Sequence, residues 1–176
     1  GEQCATTLAG MKPASLFRYQ GADKQQSREA AARWAKELAP YGITVRVLKY
    51  CPQTGACLIY LYRAGWLRSI LTEPSNRAFL ARQGYEADQD CQGLLRQLSR
   101  RLCLEREFPH EIGVFLGYPL EDVVGFIEHH GRNYTCCGYW KAYGDPETAR
   151  KRFDQYRRCT AACCEQFRQG AAIAQL

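Results

Sequence analysis

Two β-type runs, Ile43 to Tyr50 and Ala56 to Tyr62, are joined by only Cys51-Pro52-Gln53-Thr54-Gly55. So short a connection leaves no room for a crossover, so the two runs read as an antiparallel hairpin. Cys57-Leu58-Ile59-Tyr60-Leu61 is apolar on both faces, which puts the second strand in the middle of a sheet rather than at its edge.

The remaining segments supply partners for that hairpin. Leu16-Phe17-Arg18-Tyr19 reads as a strand ahead of a turn at Gly21. Asp23 caps a helix, with Gln26 completing a capping box; Ala31, Trp34, Ala35 and Leu38 share one face, and Pro40 and Gly42 end it. Gly65 to Leu71 and Pro74 to Gln83 are short helices, and Asp88 caps a longer one carrying Cys91, Leu94, Leu95, Leu98 and Leu102. Glu111 to Leu116 reads as a strand running into a helix from Pro119, with Leu120, Val123, Val124 and Ile127 as its apolar stripe. Tyr139 to Tyr143 reads as the last strand, and Asp145-Pro146-Glu147 opens a final helix with the seam Ala149, Phe153, Tyr156, Cys163 and Phe167. The expected fold is α/β (α+β): a single mixed sheet of about five strands with a central antiparallel hairpin, covered by about six helices. A chain of 176 residues with 46% hydrophobic residues is expected to form one globular domain over 1–176.

Ten cysteines fall short of the roughly 8–10% that marks a secreted disulfide scaffold. The first residues lack the basic start and apolar run of a secretory signal, and no stretch approaches the roughly 18 apolar residues of a membrane span. These features predict free thiols in a cytoplasmic protein that does not enter a membrane. The net charge of +6 gathers on the last helix, where Arg150, Lys151, Arg152, Arg157, Arg158 and Arg168 meet only Glu147, Asp154 and Glu165. With no nucleic-acid motif beside it, this stripe reads as a solvated face rather than a polyanion site.

Two stretches carry a family resemblance: Cys4-Ala5-Thr6-Thr7-Leu8-Ala9-Gly10-Met11-Lys12-Pro13-Ala14-Ser15-Leu16-Phe17, and Phe108-Pro109-His110-Glu111-Ile112-Gly113 through Asp122 to Gly125-Phe126-Ile127-Glu128. With Cys136, the run Gly138 to Asp145, and Cys159, they resemble domain of unknown function 3793, a family of clostridial-type bacteria. The resemblance implies a bacterial, anaerobic source and carries no activity. The family begins His-Cys-(Ala or Ser)-Pro-Thr; here Gln3 precedes Cys4, and Thr6 stands where proline is usual.

Three constellations can carry chemistry. The first is a thiol site with Cys4 as nucleophile, His110 as base, and Asp122 or Glu111 orienting the imidazole. The second is a thiol-ligated metal or redox centre drawn from Cys4, Cys51, Cys136 and Cys159, although no Cys-x-x-Cys pair occurs. Cys159 and Cys163, four apart, can meet on one helical face, whereas the adjacent His129 and His130 cannot. The third is a binding module in which the turn from Phe115 to Pro119 meets a small ligand or a protein: Gly117 admits close approach, and Tyr118, Trp140, Lys141 and Tyr143 supply stacking and charge. The sequence names no cofactor.

Overall fold

The computed structural model describes residues 2–86 and 88–170. The central hairpin forms as its short connection dictates: β2 (Ile43–Tyr50) and β3 (Ala56–Arg63) pair antiparallel. β1 (Ala14–Gln20) pairs antiparallel with the other side of β3, giving the order β1-β3-β2 with the apolar strand in the middle. Successive β3 residues then serve opposite faces. Tyr60 and Tyr62 enter one cluster with Leu67, Leu71, Leu95, Leu98, Ile112 and Phe115. Cys57, Ile59 and Leu61 enter another with Cys4, Leu8, Ala31 and Leu38. A register shift between Val47 and Lys49 lets Leu48 join the first cluster, while Val45 and Val47 pack on the second.

Eight α-helices lie among the described residues. α1 (Ala5–Leu8) is one buried turn, and α2 (Lys24–Leu38) covers the second face of the sheet. Asp23 caps α2 by accepting the Gln26 backbone N–H; the Gln26 side chain reaches back to Ala22 N–H, one residue earlier than a standard capping box. The opposite face is covered by α3 (Ala64–Thr72), α4 (Pro74–Arg82), α5 (Cys91–Leu104), α6 (Ile112–Phe115) and α7 (Leu120–Glu128). α5 is capped by Asp90, which accepts the Gly93 N–H at 2.6 Å, not by Asp88.

The expected single five-stranded sheet does not form. Glu111 to Leu116 is buried throughout, and it turns as α6 instead of extending. A short run apolar on every side fits a buried helical turn as well as a strand, and its alternation cannot decide between them. Here the Ile112 N–H bonds to Pro109 O, the Tyr118 N–H returns to Gly113 O, and the Tyr60 hydroxyl donates to Phe115 O at 2.5 Å. From Tyr139 to Tyr143 only β5 (Lys141–Ala142) is strand, and it pairs with β4 (Cys136–Cys137) in a separate two-stranded ribbon. Its Trp140 and Ala142 pack with Ala149, Phe153 and Tyr156 of α8 (Pro146–Arg168), forming a third apolar cluster. The α8 seam is as expected except at Phe167, which is 52% exposed.

Candidate functional site

The turn from α6 into α7 and the β4–β5 ribbon enclose a pocket of about 380 Å³. Its walls include Phe108, His110, Tyr118, Asp122, Phe126, Cys137, Tyr139, Trp140 and Lys141. That volume lies within the roughly 300–1,000 Å³ typical of small-molecule sites. A hollow of about 140 Å³ behind it, between Asp122, Trp140 and Arg152, falls well below that range.

Asp122 organises the wall. It is buried; Oδ2 accepts the Trp140 indole N–H at 2.6 Å, and Oδ1 accepts the backbone N–H groups of Tyr143 at 2.6 Å and Gly144 at 3.2 Å. Three donors hold a carboxylate in the first turn of α7, where the positive helix end adds to them. Trp140, fixed in this way, stacks on Tyr118 with ring centroids 4.9 Å apart and meets Phe153 edge-on at 4.6 Å. The Lys12 ammonium lies 5.1 Å from the Tyr118 ring centroid. Burial lowers the Lys12 amine from its ordinary value to about 8, with the Cys4 thiol acting in the opposite direction, and burial raises the Tyr118 hydroxyl to about 12.

On the other wall, Phe108, His110 and Phe126 form a row, the imidazole lying 6.0 Å from the first ring and 4.8 Å from the second. Lys141 Nζ donates to Gly131 O at 2.8 Å and lies over the Phe126 and Tyr134 rings. Among the described residues it has no carboxylate partner. The pocket therefore combines aromatic faces with one ammonium, while its single carboxylate is already occupied by protein donors.

Five of the residues expected at a site, His110, Asp122, Tyr118, Trp140 and Lys141, line this pocket, and Gly117, Tyr143 and Cys4 do not. Gly117 has φ +75, and a Cβ there would meet the Pro13 ring at 2.1 Å, so its small size admits Pro13 rather than a ligand. The Tyr143 ring packs on Gly125 and stacks on His129 at 5.6 Å. Cys4 packs with Leu8, Ala31 and Leu38 on the α2 face of the sheet, opposite the face that carries α6 and α7. Burial raises its thiol to about 11, the reverse of nucleophile activation. The Asp122 oxygens bond to Trp140, Tyr143 and Gly144, not to His110.

The metal reading is not supported. No group of three or more His, Cys, Asp or Glu residues able to hold an ion occurs among the described residues. The four proposed ligands form no such group: Cys4 packs with α2, Cys51 lies in the β2–β3 connection against Gln53, Cys136 is on β4, and Cys159 is on α8. Cys159 does meet Cys163 one turn on, as the spacing allows, and burial with that neighbour raises its thiol to about 11. On α8, Arg150, Arg157 and Arg168 pair with Glu147, Asp154 and Glu165 as exposed neighbours three residues apart. No helix among the described residues is long and apolar enough to cross a membrane.

Sequence reasoning missed Lys12, Phe126, Cys137 and Tyr139. Lys12 and Phe126 stand inside the two stretches that carry the family resemblance, but nothing local tells that the lysine will lie against the Tyr118 ring or that the phenylalanine will line the pocket. Cys137 follows from the ribbon: its partner across the ladder is Lys141.

A family model described as "Protein of unknown function (DUF3793)" matches residues 2–176. No curated protein and no solved structure matches the chain.

Proposed function

We propose that this chain, which belongs to the DUF3793 family, binds a small planar anion in the pocket between the α6–α7 turn and the β4–β5 ribbon. The observation that carries this reading is the pairing of aromatic walls with an ammonium that has no carboxylate of its own. Phe108 and Tyr139 stay 49% and 37% exposed at the rim, although aromatic rings gain most from being covered. Trp140 and Phe126 offer ring surface deeper in. A flat ligand covers these faces, and its negative end sits at Lys141.

Asp122 does not oppose such a ligand, because its charge is met by three N–H donors within the wall. His110 adds a donor at the rim.

Calorimetric titration with 2-naphthoate and with 2-naphthylmethylamine, the same ring bearing the opposite charge, tests the reading. One saturable site for the anion is expected, about tenfold or more tighter than for the amine, a difference of about 1.4 kcal/mol. Lys141→Met should remove the preference. No saturable binding, or equal affinity for the two probes, would overturn it.

A further inference from the structure

Cys137 sits on the pocket wall with Lys141, His110 and five aromatic side chains. Cys137 and Lys141 are direct partners in the β4–β5 ladder, so their side chains leave the ribbon on the same face. Of the described cysteines only Cys103 and Cys137 are exposed. Cys103 lies on α5, where its thiol points toward Leu48 O at 3.9 Å, and it lines none of the pockets described above. A nucleophile, a fixed ammonium and a flat apolar floor thus coincide at one place and not at the other.

We infer that Cys137 is a reactive thiol of this pocket and that the pocket's ligands include planar α,β-unsaturated carbonyl compounds, which Cys137 captures by conjugate addition. The inference rests on the binding reading above and extends it to a substrate class. In the addition the Cys137 sulfur gives up its proton and forms an S–C bond to the β-carbon. The C=C pair shifts toward the carbonyl as an enolate, whose oxygen faces the Lys141 ammonium. The α-carbon then takes up a proton, so that thiol and alkene become a thioether with no oxidant or reductant. Seating the flat ligand between the aromatic walls holds the alkene against the sulfur, which is the larger source of rate. Lys141 stabilises the charge that develops on oxygen.

N-phenylmaleimide and N-ethylmaleimide carry the same electrophile with and without a flat ring. The protein is treated with each at low excess, and adducts are followed by peptide mass spectrometry, with fragment ions separating Cys137 from Cys136 and with Cys103 as comparator in the same molecule. N-phenylmaleimide should modify Cys137 about tenfold or more faster than Cys103, an advantage that shrinks with N-ethylmaleimide. Saturating 2-naphthoate should protect Cys137 alone, and Lys141→Met should slow Cys137 while the Cys103 rate, which reports an intact fold, stays constant. Equal rates at the two cysteines with both reagents would overturn the inference. If 2-naphthoate nonetheless binds, the thiol inference alone fails; if it does not bind, the binding reading fails as well.

Discussion

The Trp140 indole N–H donates to the Asp122 carboxylate at 2.6 Å, and both residues are buried. This bond ties the first turn of α7 to the β4–β5 ribbon, two elements that share no backbone ladder, and so sets the shape of the pocket between them. The Tyr143 and Gly144 amides complete the same carboxylate.

Asp122→Asn is therefore expected to be costly despite its near-identical shape. One oxygen becomes an amide NH₂, so a donor faces either the indole or the backbone N–H groups. Leaving a buried donor without an acceptor costs about 1–3 kcal/mol, and losing a charge-assisted bond adds to it. Urea unfolding should show a loss of about 2–4 kcal/mol with an unchanged slope. A loss under 1 kcal/mol would mean that the carboxylate is not the tie.

Lys12 carries a pH signature. In the unfolded chain its amine keeps the proton to an ordinary 10.5, whereas buried in the fold it keeps it only to about 8. Between those values unfolding takes up a proton, so stability rises with pH. Cys4 opposes this from 9.0 upward: its buried thiol holds its proton to about 11, and the unfolded chain releases it earlier. The net gain is thus confined to pH 8–9 and is offset above that. Lys12→Met should raise stability at pH 7, by at most about 3 kcal/mol, and abolish the rise between pH 8 and 9. Denaturation midpoints across pH 7–10 measure both; a variant less stable than the parent at pH 7 would show that the ammonium is held favourably.

The sheet and the pocket differ in how far they could be read from residues alone. The β2–β3 hairpin was legible because a five-residue connection and a two-faced apolar strand leave one arrangement, and the Asp23 and Asp145 caps because they act within a few residues. Glu111 to Leu116 was not legible: it is buried on every side, so no alternation marks it, and its helical turn is imposed by tertiary bonds such as Tyr60 to Phe115. Tyr118, Trp140 and Lys141 could be named as ring and charge carriers from type and neighbourhood. The role of Asp122 could not, since its three donors lie 18 to 22 residues further along the chain. The surroundings of Cys4 were not legible for a related reason, because which face of the sheet a thiol enters is set by the tertiary fold and not by its neighbours in sequence.

Gly117 tests the packing beneath the site. Its φ of +75 disfavours any side chain, and a Cβ would come within 2.1 Å of Pro13 Cγ. Left-handed backbone costs an alanine about 1–2 kcal/mol, and overpacking against a proline ring costs about 1–3 kcal/mol more. Gly117→Ala should therefore lose about 3 kcal/mol in urea, whereas Gly42→Ala, with positive φ and open space around it, should lose only the backbone part. Equal losses at the two sites would show that Pro13 moves aside freely.

The base of the α6–α7 turn hangs on Glu111, which is buried and accepts from the Tyr85 hydroxyl at 3.0 Å and from Arg101 at 2.8 Å. The same guanidinium also reaches Gln83 O and lies over the Tyr85 ring, so one carboxylate joins the end of α4, α5 and the residue next to His110. Removing one partner of a buried pair leaves the other uncompensated, at about 3–5 kcal/mol for full burial; Arg101 retains some solvent, which puts Glu111→Ala nearer about 2–3 kcal/mol. Glu111→Gln keeps an acceptor for one donor and should cost less. Because Glu111 anchors the turn that presents His110, the alanine variant should also weaken 2-naphthoate binding, although the Glu111 side chain does not itself line the pocket. Stability lost with affinity retained would show that the turn is held from the Asp122 side alone.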